Sequence, residues 1–267
     1  MRNSEPSKCS LKRKGLFKNV RLSAYSGVIT LAVVLALWHS VSDLGLIPPY
    51  LLPSPQAVVV ALVHDAPLIA AHTQTTLMEA ACGLAAGFAL GITLALIMDA
   101  SKTLYALVRP LIIVSQTIPV VALAPLLVLW LGYGMAPKIL LIALASFFPI
   151  TMSFLEGLRS VDPDTLTLMK SLGAKPWQLL LWAKIPASLS ALFAGIKIAA
   201  AYSIITAVVA EWLGGFSGLG VYMTRVRKAY AFDKMFAAII VISLLSLALM
   251  KVVDYMRHKT IPWEGED

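Results

Sequence analysis

Long apolar runs fill this chain and are broken at a few places, and the breaks divide it into six candidate spans. A bilayer's hydrocarbon core of about 30 Å takes roughly 20 apolar residues per helical crossing. Leu22 to about Val41, about Thr73 to Met98, a third run within Leu104–Tyr133, Met135–Ser153, Pro186 to about Glu211 and about Met235–Met256 each fit that length. Pro48–Leu62 reads instead as an extended turn followed by an amphipathic surface helix. Gly214, Gly215, Gly218 and Gly220 lead to a second surface helix, Val221–Lys234, with Leu219, Tyr222, Met223, Val226 and Tyr230 on one face. The expected fold class is all-α, a polytopic membrane protein with about six transmembrane helices.

Between the fourth and fifth spans lies a polar interruption with strong turn chemistry. Asp162 can cap a helix that Pro163 begins, and Asp164 then sits in its positive first turn. Gly173 should close that helix in the left-handed conformation, and Pro176 should restart a second one through Trp177, Leu180, Leu181 and Lys184 before Pro186 opens the fifth span. Two helices of about nine residues, each roughly 14 Å long, make a knob with apolar residues inside and Lys170, Lys175 and Gln178 outside. Such a knob fits a groove on a partner.

Other spans are irregular in ways that suggest a path. Pro119 and Pro125 free backbone carbonyls inside the third span, which is tolerable where neighbouring helices or water satisfy them. Ser115, Gln116 and Thr117 before Pro119, with Ser146, Tyr202 and Thr206, are the polar groups expected to line a translocation path, since lipid-facing positions have little reason to be polar. Gly83, Gly87 and Gly91 recur every four residues and read as a packing ridge. Glu79 must face protein, water or a partner, and Lys197 must snorkel, pair with an acid or face a wet cavity.

Composition agrees with this pattern. Hydrophobic residues make up 59% and charged residues 13%, with a mean hydropathy of +0.82, which excludes an ordinary soluble domain. The net charge of +8 does not indicate nucleic acid, because seven of the 22 basic residues lie in the first 21 positions, beside a span. Sixteen Lys and Arg fall on the side of that tail and five opposite, Lys138 and four at 225–234, which places both termini in the cytoplasm. The first apolar run is too long for a signal peptide and lacks a small-x-small site, so it is expected to be retained. Cys9 and Cys82 are expected to be free thiols, and no metal or cofactor is expected. No catalytic constellation occurs at membrane depth: Asp99, Asp162 and Asp254 fall at span ends, and His39, His64, His72 and His258 scatter near surfaces. An ion-coupled secondary transporter would show inverted repeats with acids in broken helices, and no obvious repeat is present. Because G-x-x-x-x-G-K-[ST] is absent, any ATP hydrolysis belongs to another subunit.

Gly173, nine residues, Ala183, one residue, then Ile185-Pro186 resembles the loop signature of ABC importer permeases. Thr167-Leu168-Met169 departs from the usual Glu-Ala-Ala, while Lys170-Ser171-Leu172-Gly173-Ala174 and L-P-S-P-Q at 52–56 are similar to the nitrate, sulfonate and taurine subfamily. Gln116–Leu126, Val161–Asp164 and Ala210–Gly215 are most similar to its thiamin-precursor pyrimidine and riboflavin permeases. The resemblance implies a non-catalytic inner-membrane or plasma-membrane subunit, working as a homodimer with an ABC ATPase and an extracytoplasmic solute-binding protein. It places ATPase docking at Asp162, Asp164, Lys170, Gly173, Ala174, Trp177 and Pro186. It also implies a permease domain at 22–256 with its docking loop at 156–186, between cytoplasmic tails 1–21 and 257–267. A thiamin-precursor pyrimidine or riboflavin is the implied solute, with sulfonate, taurine or nitrate as the alternative.

Overall fold

The glycine ridge of the second span sets the centre of the molecule. Gly83, Gly87 and Gly91 lie on a 35-residue helix, α3 (Ala66–Ala100), and press against α6 (Met135–Arg159). A Cβ on Gly83 would stand 2.5 Å from Ile142 Cβ, one on Gly87 2.9 Å from Ser146 Cβ, and one on Gly91 3.0 Å from Ile150 Cγ2. Each pair is 59 positions apart, and so is the ion pair Glu79–Lys138. The two helices therefore run parallel in constant register, their backbones close because one face carries no side chains. These relations come from a computed structural model that describes residues 27–263. The basic tail 1–21 with Cys9, the first residues of the expected first span and the last four residues lie outside the described residues.

Parallel neighbours in a membrane require a passage back between them. It is supplied by α4 (Lys102–Ser115) and α5 (Val120–Leu131), expected as one span and found as two helices bent by 94°. Pro119 accounts for the break, since it has no N–H for the Ser115 carbonyl and disfavours helical backbone at Ile118. α6 then leads through α7 (Pro163–Ser171) into α8 (Pro176–Leu179), a wide π turn at Leu180–Lys184, and α9 (Ile185–Gly214). The second loop helix is thus no separate element but the first turns of a 39-residue helix, Pro176–Gly214. Pro186 explains the widened turn: it cannot bond the Trp182 carbonyl and its ring crowds that group, a conflict the looser π turn absorbs.

α9 packs antiparallel on α6, with Gly195 against Pro149 and Ser153, and Gly157 against Ser188 and Ala191. α11 (Phe232–Thr260) runs antiparallel to α9, and Lys197 Nζ lies 2.7 Å from Asp254 Oδ2, so that lysine is paired within the bundle. Among the described residues, α3, α6, α8–α9 and α11 are each long and apolar enough to cross a membrane, and the bent pair supplies a fifth passage. The described residues thus supply four to five crossings where six were expected: α1 (Gly27–Asp43) is apolar but, at 17 described residues, shorter than the others, and its Trp38 indole donates to Pro53 O at 3.0 Å and stands 5.7 Å from Phe236.

The ends of α3, α6 and α11 and the start of α9 share one side, called the loop end. The far end holds α2 (Pro55–His64), capped by the Ser54 side chain, and α10 (Leu219–Lys228). α10 is shorter than expected: it stops at Lys228, and Tyr230 adopts φ 57° and projects outward instead of sharing the buried face of Leu219, Tyr222 and Val226. The core lies where α3, α6 and α9 meet, around Met98, Ile150, Phe154, Leu158 and Leu192.

Candidate functional site

At the loop end, local chemistry builds the knob as its residues suggest. Asp162 Oδ1 accepts the Asp164 amide at 3.0 Å, and Pro163 occupies the first helical position of α7. The helix closes in a Schellman arrangement, with Gly173 N donating to Lys170 O at 2.9 Å and Ala174 N to Met169 O at 3.0 Å. Gly173 has φ +85°, and no atom lies within 4 Å of where its Cβ would be, so the demand on this glycine is conformational and not steric. The Lys175 amide donates to Gln178 Oε1 at 2.7 Å and caps the start of α8.

The apolar residues of the knob do not turn inward. Leu168, Leu172, Trp177 and Trp182 are exposed, the two indoles edge to face at 6.1 Å, and only Leu179 is buried. Nine residues of helix leave too little surface to bury these side chains against one another, so they remain available to another surface. Lys170, Asp162 and Asp164 are also exposed. Beneath them is a cavity of about 420 Å³ bounded by Leu166, Lys170, Pro176, Trp177 and the end of α3. One tie holds the knob to α3, and a second holds the adjoining end of α6 there. Lys184 Nζ reaches both Asp99 oxygens at 2.9 and 2.8 Å. Arg159 Nη2 donates to Met98 O at 3.2 Å while its guanidinium lies 3.5 Å from the centroid of Tyr105.

The expected path residues separate into two groups. Ser115, Gln116, Thr117 and Pro119 gather at the α4–α5 break, where the Ser115 hydroxyl donates to Ile112 O at 2.7 Å and that of Thr117 to Val114 O at 2.8 Å. Tyr202 is half exposed on α9. Ser146 is fully buried in the α3–α6 seam opposite Gly87, and Thr206 is buried as well. The Ser146 hydroxyl is enclosed and faces no open surface of the chain.

The far end holds a polar cluster that the sequence reading scattered. His72, Thr76 and Glu79 follow one face of α3, and all three are buried. Lys138, expected at the outer surface, is 4% exposed and places Nζ 2.6 Å from Glu79 Oε1. Glu211 on α9 accepts the Thr76 hydroxyl at 2.7 Å and the Gly220 amide at 2.6 Å. Thr76 Oγ1 accepts the Leu219 amide at 2.9 Å, and His72 Nδ1 accepts that of Gly218 at 3.0 Å. Three successive amides at the start of α10 are thereby held by α3 and α9. Gly218 has φ +118°, and a Cβ there would overlap the Glu211 carboxyl, so only glycine passes over it. A cavity of about 380 Å³ reaches Glu79 and Lys138 between Gln74, Met78, Met135 and Phe216. The available signal was opposite charge within apolar spans at the same 59-residue offset as the glycine ridge.

A second hub, Asp65, joins the start of α3 to α10 and α11. It receives Lys234 Nζ at 3.0 Å, His64 Nδ1 at 2.7 Å and the Tyr222 hydroxyl at 2.9 Å. The Lys234 bond above all, then that from His64, outweighs burial and holds this carboxyl down at about 2. Burial, and then the Asp65 carboxylate, push the Tyr222 hydroxyl up. Lys234 and Arg225, which donates to Phe216 O at 3.1 Å, are thus engaged where the charge pattern along the chain counted them as outer-surface residues.

Residues 87–261 match the family described as binding-protein-dependent transport system inner membrane component. The chain is 41% identical to a probable ABC transporter permease protein of Haemophilus influenzae, over 88% of this chain and 96% of that one. It is 36% identical to the formylaminopyrimidine transport permease protein ThiX of Halalkalibacterium halodurans, over 80% and 86%. The fold is similar to a chain of the inward-facing MetNI methionine ABC transporter, with a TM-score of 0.65, 16% identity and coverage of 72% and 95%.

Proposed function

The chain belongs to the family of binding-protein-dependent transport system inner membrane components, as the permease subunit of an ABC importer, and from that premise we propose how it works and what it carries. The loop end faces the cytoplasm, and the knob at Asp162–Pro186 seats in a separate ATPase subunit. One observation carries this: a small, capped projection keeps Leu168, Leu172, Trp177 and Trp182 exposed, and large apolar side chains held outward on a rigid element favour a partner surface. ATP-driven closure of the partner moves the knob, and the continuous helix from Pro176 to Gly214 transmits the motion without a flexible joint. Two copies of the chain enclose the path, lined at the α4–α5 break by Ser115, Gln116, Thr117 and Pro119 and on α9 by Tyr202. Residues 22–256 act as one permease domain.

The solute we propose is a thiamin-precursor pyrimidine or riboflavin, delivered by an external binding protein. Likeness to the formylaminopyrimidine permease and the short segments at 116–126 and 210–215 support this choice over a sulfonate, taurine or nitrate. The experiment reconstitutes the chain in vesicles with its ATPase and binding protein and compares uptake of an aminopyrimidine with that of taurine. Trp177→Ala should weaken ATPase binding by about 2 kcal/mol, roughly 30-fold. Unchanged affinity would refute the docking reading, and uptake of taurine alone would refute the solute assignment.

A further inference from the structure

Glu79 and Glu211 stand side by side at the far end with only one lysine between them. The two residues are 0% and 1% exposed, and Glu211 Oε1 is bonded at 2.7 Å to Thr76, which precedes Glu79 by three residues on the same buried face of α3. Lys138 gives its charge to Glu79 Oε1. Glu211 has neutral donors, the Thr76 hydroxyl and the Gly220 amide. Glu79 Oε2 is enclosed and has no hydrogen-bond partner.

The other groups facing this pair do not supply the missing charge. His72 on α3 accepts the Gly218 amide at Nδ1, which requires its neutral form. On α10, the Arg225 guanidinium is spent on Phe216 O and the Tyr222 hydroxyl on Asp65. α5 carries no charged residue. On α11, Lys234 is taken by Asp65, while Asp254 pairs with Lys197. With both acids ionised the cluster holds one uncompensated negative charge at membrane depth, where such a group is strongly disfavoured.

We propose that Glu79 and Glu211 form a proton-binding site that holds one proton between them while the Phe216–Gly220 turn is seated, and gives it to water when the turn lifts. Glu211, Thr76 and His72 fasten that turn through three amides, so the groups that hold the proton also hold the turn. In the seated form Glu79 Oε2 is buried and has no partner but a proton to take. The cavity of about 380 Å³, walled by Phe216 and Ser217 and reaching Glu79, gives water an entry once the turn moves. On lifting, the proton passes to water and the two carboxylates keep the negative charge, now hydrated. The seated form binds one more proton than the lifted form, so acid favours the seated turn and alkali the lifted one.

Infrared spectroscopy of the full chain in lipid nanodiscs tests this without depending on transport or on the solute. At neutral pH the wild type should show a protonated, buried carboxyl band. Glu211→Gln and Glu79→Gln should each abolish it, because one remaining carboxylate is balanced by Lys138. Lys138→Met should instead roughly double the band, leaving two acids without a cation. A structural role alone would not move the band in these opposite directions. Absence of the band from the wild type, or its survival in both Gln variants, overturns the proposal; should one Gln variant fail to fold, the other decides.

Discussion

Removing the Lys184–Asp99 tie should uncouple ATP hydrolysis from uptake without detaching the ATPase. Lys184 Nζ lies 2.8 and 2.9 Å from the two Asp99 oxygens, and the side chains are 22% and 9% exposed, so solvent screens the pair only in part. At 2.8 Å and an effective dielectric of about 20 the Coulomb attraction is about 6 kcal/mol, most of it offset by desolvating the lysine. Charge-assisted hydrogen bonds of this kind leave a net of about 1.5–3 kcal/mol. Asp99 also sits in the last turn of α3, where the helix dipole disfavours a carboxylate that has lost its cation. Lys184→Met should therefore loosen the knob by about 2 kcal/mol, roughly a 30-fold shift toward a detached knob. The exposed Trp177 surface is untouched, so ATPase affinity should hold while solute imported per ATP falls. A double-mutant cycle with Asp99→Asn isolates the pair. A coupling energy below about 0.5 kcal/mol, or an unchanged ratio of solute to ATP, would show that this tie does not transmit motion.

Gly83→Val brings a branched side chain to a position where even a Cβ lies 2.5 Å from Ile142; destabilisation of about 1–3 kcal/mol is expected in detergent melting curves, and Ile142→Ala should restore part of it. Gly173→Val forces a β-branched residue into φ +85°, at a cost of about 1–2 kcal/mol. Vesicle uptake should be lost while membrane insertion survives, and normal uptake would contradict the role given to the turn. Asp65 is lowered from 3.8 to about 2, so its stabilising bonds are complete above about pH 4 and lost as pH falls through the folded value. Asp65→Asn should reduce stability at neutral pH and flatten the decline between pH 4 and 2, and an acid profile identical to wild type would rule out Asp65 as its source.

The all-α membrane fold, a surface helix within Pro48–Leu62 and the turn chemistry of the knob were legible in the chain because each is decided within a few residues. Apolar length sets a crossing, Asp162 and Pro163 set a helix start, and Gly173 sets its end through torsions that neighbouring residues dictate. The glycine ridge was legible too, as a four-residue period, though its partner was not. What only tertiary structure decided depends on register between distant segments. Lys138 looks like a loop lysine until the 59-residue offset of α3 and α6 brings it to Glu79. Glu211 looks like part of a short family motif until α10 folds its amides over it. Whether Ser146 faces a path or a glycine follows from that same register. The direction of the knob's apolar residues depends on how little surface two short helices can bury. Local sequence carries torsional preference and hydropathy, whereas the partner of a buried charge is chosen by how whole helices pack.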